Sequence, residues 1–125
     1  MRHTLKQFID KLFAISPGIR YAAIYRANEL EIMQRPDLQN ASSLESDKYE
    51  ELIVNPTLLT LLKQRGQIDC GGMEYVLVRY GHFFQLVHPI AGGHLSVAIA
   101  PGTQPLDLLD KIRQVFLENG LQVRP

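Results

Sequence analysis

The 125-residue sequence has few of the residues that define specialised protein classes. Its one cysteine, Cys70, rules out a disulfide or a zinc site built of cysteines within one chain. Neither sign of charge is in excess, with 13 Lys plus Arg against 13 Asp plus Glu. This balance argues against nucleic-acid binding, because neutralising phosphates requires a surplus of Lys and Arg. No segment approaches the roughly 18 apolar residues that span a bilayer.

Motifs of catalysis and targeting are also missing. The sequence contains no Gly-x-Ser-x-Gly, no dinucleotide fingerprint and no phosphate-binding loop. Gly71-Gly72 and Gly92-Gly93 precede no helix start and are interpreted as turn glycines. The first residues carry charges at Lys6, Asp10 and Lys11, where a secretion signal would have an apolar core. We therefore expect a cytoplasmic protein that is not an enzyme and has no cofactor.

Three histidines and the cysteine were the remaining candidates for chemistry. His82, His88 and His94 are six residues apart, and the last two could approach each other on neighbouring strands. No carboxylate accompanies them in sequence, so we expect histidines of a hairpin and not a metal site. Cys70 precedes a glycine pair without an evident electropositive neighbour, so we expect an unreactive connector residue.

Hydrophobic periodicity divides the chain into eight elements of one domain, residues 1–125. Asp37 to Ser43 is predicted to be a polar loop, and Thr4 and Thr103 are candidate helix caps. Gly66 is the predicted stop of the second helix, which Asn55-Pro56 either kinks or divides in two. The predicted helices are 4–15, 44–65 and 104–119, and the predicted strands are 19–26, 30–34, 73–80, 83–90 and 94–100.

The resulting order is α-β-β-α-β-β-β-α. Short turns within the two strand groups require antiparallel neighbours. In the predicted strands 73–80 and 83–90, the side chains on both faces are largely apolar, as expected when both faces of a sheet are covered. We therefore predict an α+β fold with a single five-stranded antiparallel sheet and helices on both faces.

The second helix carries charge at its start and apolar residues along its length. Glu45, Asp47, Glu50 and Glu51 lie near its N-terminus, where negative charge suits the helix dipole. This interpretation is favoured, and a polarised surface for a partner is the alternative. The apolar residues of the helix exceed what one sheet face needs.

The segments Pro17 to Tyr25 and Tyr75 to Ala100 resemble the roadblock/LC7 family, which has a profilin-like, longin-related fold. The second segment carries the likeness best: a strand, a tight turn, a strand ending in Pro-Ile, a glycine turn and a strand of small residues. The first hairpin turn departs from the family, with Ala27-Asn28-Glu29 where Asp-Gly is common.

The resemblance implies a homodimer in which third strands pair and middle helices pack, giving a ten-stranded sheet. Members act as non-enzymatic scaffolds or regulators of small Ras-like GTPases, or as subunits of motor complexes. An apolar third strand at a sheet edge supports such pairing independently, because an open edge invites aggregation. The predicted dimer interface comprises Tyr49, Leu52, Leu58, Leu62, Met73, Tyr75 and Leu77.

A small-ligand sensor of profilin-like or PAS-like architecture is the alternative function. Similar arrangements of helices on a sheet hold ligands between the two layers. Four aromatic residues are the expected lining: Tyr21, Tyr25, Phe83 and Phe84. This alternative requires a cavity of at least about 300 Å³.

Overall fold

The computed structural model describes residues 2–35 and 43–120, with side chains from residue 6 onward. The second helix of the sequence prediction, here named the middle helix, consists of α2, a π-helical turn and α3. In chain order the elements are α1 Arg2–Phe13, β1 Ile19–Arg26, β2 Glu29–Gln34, α2 Leu44–Tyr49, the π turn Glu50–Val54, α3 Asn55–Asp69, β3 Val76–Arg79, β4 Phe84–Ile90, β5 Gly93–Ile99, a 3-10 turn Pro105–Leu108 and α4 Leu109–Glu118.

The five strands form one antiparallel sheet in the order β2-β1-β5-β4-β3. This confirms the predicted α+β class with a single five-stranded antiparallel sheet. β3 lies at one edge of the sheet, as the sequence predicted, and β2 lies at the other. β5, the second strand of the last hairpin, is the central strand of the sheet, because it pairs with both β1 and β4.

The main hydrophobic core lies between the sheet and the two terminal helices. α1 contributes Phe8, Ile9 and Leu12, and α4 contributes Ile112 and Phe116. Their apolar residues recur every three or four positions, so each helix buries one stripe. The rings of Phe8 and Phe116 stack with centroids 5.8 Å apart, which joins the two helices over the strands. The middle helix covers the opposite face of the sheet.

Several predicted boundaries were wrong by a few residues. Helix α1 begins at Arg2, so Thr4 lies inside it. Gln104, and not Thr103, caps the 3-10 turn before α4. β3 is limited to Val76–Arg79, so Met73 and Tyr75 precede it. Of the predicted polar loop, only Ser43 falls within the described residues, and it caps α2 by accepting a hydrogen bond from the amide of Ser46.

Gly66 does not end the middle helix, which continues to Asp69. Its carbonyl accepts hydrogen bonds from the amides of Cys70 and Gly72, so the returning chain folds against it. A Cβ atom at position 66 would lie 2.8 Å from the backbone carbon of Gly72. The glycine is therefore required for a close backbone approach and not as a helix stop.

The middle helix passes through Asn55-Pro56 without a break. The residues at both ends of the π turn have right-handed helical backbone angles, and the amide of Asn55 donates to the carbonyl of Glu50. Proline cannot donate an amide hydrogen, and the switch from π to α hydrogen bonding occurs just before it. The Thr57 hydroxyl donates to the carbonyl of Ile53 at 2.6 Å and satisfies one acceptor there. Of the two alternatives left by the sequence, a kink or a division, the division into two helices is wrong, because the backbone remains helical through Asn55.

Within the part of the chain that the structure describes, no helix has the length and apolar character that crossing a membrane would require.

Candidate functional site

The middle helix turns polar residues towards the sheet. Asp47, Glu51 and Asn55, spaced by four residues, are all buried, and the side chains of Glu51 and Asn55 have no exposed surface (0% each). A step of four residues turns an α-helix by about 400°, so the residues drift about 40° per step. The π turn has more residues per turn and takes up part of this drift. Asp47 and Glu51 lie in the first turns of α2 and of the π turn, as the helix-dipole interpretation expects, but their burial removes both from the alternative of an exposed polarised surface.

Glu51 is the centre of a buried network between helix and sheet. The Tyr21 hydroxyl donates to its Oε2 at 2.6 Å. The Asn55 amide donates to Oε1 at 2.9 Å, and His94 Nε2 lies 2.8 Å from the same oxygen. Both side-chain oxygens of Glu51 therefore have hydrogen-bond partners. Burial first, and then the negative charge of Glu51, raise the pKa of Tyr21 well above its ordinary value, so this hydroxyl remains a donor.

The network continues along the sheet to Ser96 and Gln85. The Asn55 amide also donates to Ser96 Oγ at 3.3 Å, and the Gln85 amide donates to the same hydroxyl oxygen. Asn55 Oδ1 is the one fully buried side-chain polar atom without a hydrogen-bond partner among the residues described. A buried acceptor of this kind costs free energy.

Strand alternation places these side chains on one face. His94 and Ser96 on β5 point to the middle helix, while Leu95 and Val97 join the main core on the other side. On β4, Gln85 likewise faces the middle helix while Leu86 faces the core. The polar face of the sheet and the polar face of the helix therefore meet each other.

A cleft of about 430 Å³ opens beside this network, between the start of the middle helix and the β3–β4 turn. Of the four aromatic residues predicted to line a ligand pocket, Tyr21 and Phe83 line this cleft. Tyr25 lines a separate cleft of about 280 Å³, and Phe84 packs against the main core instead. The complete cleft lining is Tyr21, Ser46, Asp47, Tyr49, Glu50, Val54, Tyr80, Gly81, His82, Phe83, Gln85 and Ala98.

Glu50 and Tyr80 join the two walls of the cleft. The Tyr80 hydroxyl donates to Glu50 Oε1 at 2.8 Å. Burial raises the pKa of the Glu50 carboxyl above its ordinary value, against the opposing effect of the hydrogen bond from Tyr80. Burial, together with Glu50, raises the pKa of the Tyr80 hydroxyl to about 12. The folded state therefore disfavours the charged form of Glu50.

Glu50→Gln is expected to raise the free energy of unfolding at neutral pH. A carboxyl whose pKa is raised on folding destabilises the folded state once pH exceeds the folded pKa, and this cost disappears below the ordinary value of 4.5. The glutamine keeps an oxygen for the Tyr80 hydrogen bond. Urea titrations across this pH range should show a gain over wild type that shrinks with acidity, whereas exposed Glu45→Gln should show none. A gain that grows towards acid would contradict the assignment.

The outer face of the middle helix carries most of the exposed large apolar side chains. Among the residues described, seven of the nine exposed large hydrophobic side chains belong to this helix, and only Leu106 and Leu117 lie elsewhere. The seven are Leu44, Tyr49, Leu52, Ile53, Leu61, Leu62 and Ile68. The helix thus exposes large apolar side chains among charged and polar ones, while Asp47, Glu51 and Asn55 are buried against the sheet.

The seven residues of the predicted interface differ in how exposed they are and in the face of the sheet to which they belong. Tyr49, Leu52 and Leu62 lie on this outer face, and Leu58 and Met73 are half-buried. Tyr75 and Leu77 are also half-buried, but their side chains pack against the main core on the other face of the sheet.

The histidines do not converge. His88 points to α4, where its Nε2 accepts a hydrogen bond from Arg113 Nε at 3.1 Å, whereas His94 points to the middle helix. The two side chains, which the sequence allowed to approach each other, lie on opposite faces of the sheet. No group of three or more metal-ligating side chains occurs among the described residues. Cys70 is an exposed free thiol at the end of the middle helix.

Sequence reasoning missed Glu51, Asn55, Ser96 and Gln85 as a group. One signal was present, since Asp47, Glu51 and Asn55 repeat at the same spacing as an apolar stripe. The chain matches no protein-family model, and no curated protein is found to be similar to it.

Proposed function

We propose that this chain is a non-enzymatic, cytoplasmic interaction module that forms a homodimer of the roadblock type. In this role it scaffolds or regulates a small Ras-like GTPase or a motor complex. The observation that carries the proposal is the set of exposed apolar side chains on the outer face of the middle helix, because a surface helix with exposed leucines is typical of an interface. The resemblance of Tyr75 to Ala100 to roadblock proteins supplies the class of partner.

A second copy is the occupant that this surface fits best. β3 is an open edge strand with one charged residue, Arg79, and no proline. Pairing two such edges about a twofold axis would satisfy their free backbone groups. The zero formal charge of the chain leaves little net repulsion between copies. In such a dimer, Tyr75 and Leu77 would stabilise the core of their own subunit, and β3 would contribute its backbone.

Leu61→Lys is expected to convert the dimer to a monomer. Leu61 is 58% exposed on the middle helix, so the substitution adds a charge to the outer face without opening the core. Leu117→Lys is the matched control, because Leu117 is 68% exposed on α4, on the opposite side of the sheet. Size-exclusion chromatography with light scattering should find monomer for the first variant and dimer for the second. A monomeric wild type, or an unchanged dimer in Leu61→Lys, would refute the proposed interface.

Leu61→Lys and Leu117→Lys also test the binding of a Ras-like GTPase. A Ras-like GTPase encoded in the same genome, loaded with a non-hydrolysable GTP analogue, should co-elute with wild type and Leu117→Lys. It should bind Leu61→Lys more weakly, because the proposed docking surface is assembled from paired middle helices. Dimerisation without binding of any such GTPase would retain the homodimer and remove the GTPase role.

Binding of a small ligand is a second candidate function, which the cleft between the middle helix and the β3–β4 turn favours. Its volume of about 430 Å³ exceeds the size that the sensor alternative requires. Cavities of about 300–1,000 Å³ are typical of small-molecule sites. Ligand binding in this cleft does not require self-association.

A further inference from the structure

We propose that the cleft between the middle helix and the β3–β4 turn binds a guanidinium group. The inference rests on the second candidate function, ligand binding, and is independent of dimerisation. It depends on three features of the lining: hydrogen-bond acceptors that lack donors, negative charge without a lysine or arginine, and aromatic side chains.

Two hydrogen-bond acceptors at the cleft have no donor among the residues that the structure describes. Gln85 is buried, with 2% of its surface exposed, and it lines the cleft. Its amide nitrogen donates to Ser96 Oγ, but its amide oxygen accepts no hydrogen bond from residues 2–35 or 43–120. Glu50 accepts from Tyr80 through Oε1, and its Oε2 has no partner in the same ranges. An amide oxygen and a carboxylate oxygen are thus left for a ligand that donates.

The charge of the cleft has one sign. Asp47 and Glu50 line it, and no lysine or arginine does so among the described residues. Asp47 already accepts a hydrogen bond from the Gln34 amide at 2.8 Å, so it contributes charge and not a vacant acceptor. The raised pKa of Glu50 shows that burial penalises its charge. A bound cation would offset this penalty.

The walls are aromatic. Tyr21, Tyr49, Tyr80 and Phe83 line the cleft, and the rings of Tyr80 and Phe83 lie with centroids 5.3 Å apart. A cation over an aromatic face gains about 0.5–2 kcal/mol. A guanidinium fits this setting better than an ammonium, because it is planar, stacks on rings and donates in several fixed directions. Two acceptors on different elements require such divergent donors.

Three small probes with the same butyl chain test the chemistry. These are n-butylguanidine, n-butylurea, which is planar but neutral, and n-butylammonium, which is charged but compact. Two-dimensional amide NMR of the full chain would follow each titration. We expect n-butylguanidine to shift the amides around Glu50, Tyr80 and Gln85, and to bind about tenfold or more tightly than either other probe. Equal binding of the urea or the ammonium compound would overturn the proposal, as would no shift with n-butylguanidine.

A blocked peptide, acetyl-Gly-Arg-Gly-amide, distinguishes two sources of the same group. Tighter binding of the peptide would identify an arginine side chain of a partner protein. Binding of n-butylguanidine without binding of the peptide would identify a free guanidino compound. Both results support the proposal.

Two substitutions test whether n-butylguanidine binds in the cleft. Glu50→Gln should weaken n-butylguanidine binding about tenfold, because it replaces a hydrogen bond to a charged group with a weaker neutral one. Glu45→Gln removes one negative charge from the same helix outside the cleft and should leave binding unchanged. Equal losses in both variants would indicate general charge attraction and overturn the site. Light scattering of the same samples reports dimerisation separately, so failure of either proposal can be recognised by itself.

Discussion

His94→Leu is expected to lower the free energy of unfolding by about 2–3 kcal/mol, because it removes one hydrogen-bond partner of the fully buried Glu51 side chain. His94 Nε2 lies 2.8 Å from Glu51 Oε1, and neither side chain is more than 1% exposed. Leucine fills a similar volume but donates no hydrogen bond. The Glu51 carboxylate then keeps the Tyr21 and Asn55 donors and loses the third. Chemical denaturation at one fixed protein concentration measures the loss, since self-association would contribute to apparent stability.

The double variant Glu51→Gln with His94→Leu should recover part of this loss. A glutamine at position 51 keeps an acceptor but carries no charge into the buried site, so the cost of an incompletely paired carboxylate disappears. The comparison separates buried charge from packing, because both proteins contain the same leucine. A double variant as unstable as His94→Leu alone would show that packing, and not charge, dominates at this position.

Gly93→Ala is expected to cost about 3 kcal/mol or more, because the added methyl group meets backbone and not a movable side chain. A Cβ atom at position 93 would lie 1.7 Å from the carbonyl oxygen of Tyr25 and 2.7 Å from its carbonyl carbon. β1 and β5 would have to separate at the residue preceding His94. The variant should therefore lose stability and disturb the amide signals of β1 together.

Gly102→Ala is the matched control. A Cβ atom there would have no heavy atom within 4 Å, so this substitution should change stability little. Urea unfolding of the two variants at equal concentration measures the difference. A Gly93→Ala protein as stable as Gly102→Ala would mean that the strands tolerate separation at this point.

The strands and terminal helices could be predicted from the sequence because local patterns determine them. The repeats of Phe8, Ile9 and Leu12 and of Ile112 and Phe116 identified the buried sides of α1 and α4. The orientation of the middle helix could not be predicted in the same way. Its excess of apolar residues predicted an interface, but nothing in the pattern predicted that the polar repeat of Asp47, Glu51 and Asn55 faces the sheet.

The reason is that hydrophobic patterning specifies which surface leaves water but not what covers it. A polar repeat can be buried when facing strands supply donors, and those donors are far away in sequence. His94 is 43 residues from Glu51, and Ser96 is 41 residues from Asn55. Short-range patterns therefore predicted the elements, while the candidate site depended on tertiary pairing.

The π turn also limits how this chain tolerates changes of length. An α-helix advances about 100° per residue, so deleting one residue within Glu50–Val54 while restoring regular hydrogen bonds would place Asp47 and Asn55 seven residues apart, within about 20° of the same direction. Both could then still face the sheet, because the π turn accommodates one extra residue in this helix. The extra residue of this turn sets the rotation of the half that borders the cleft relative to the half that carries Leu61. A single deletion here that spares Glu51 should therefore be accepted, whereas a single insertion should rotate the two halves of the helix against each other.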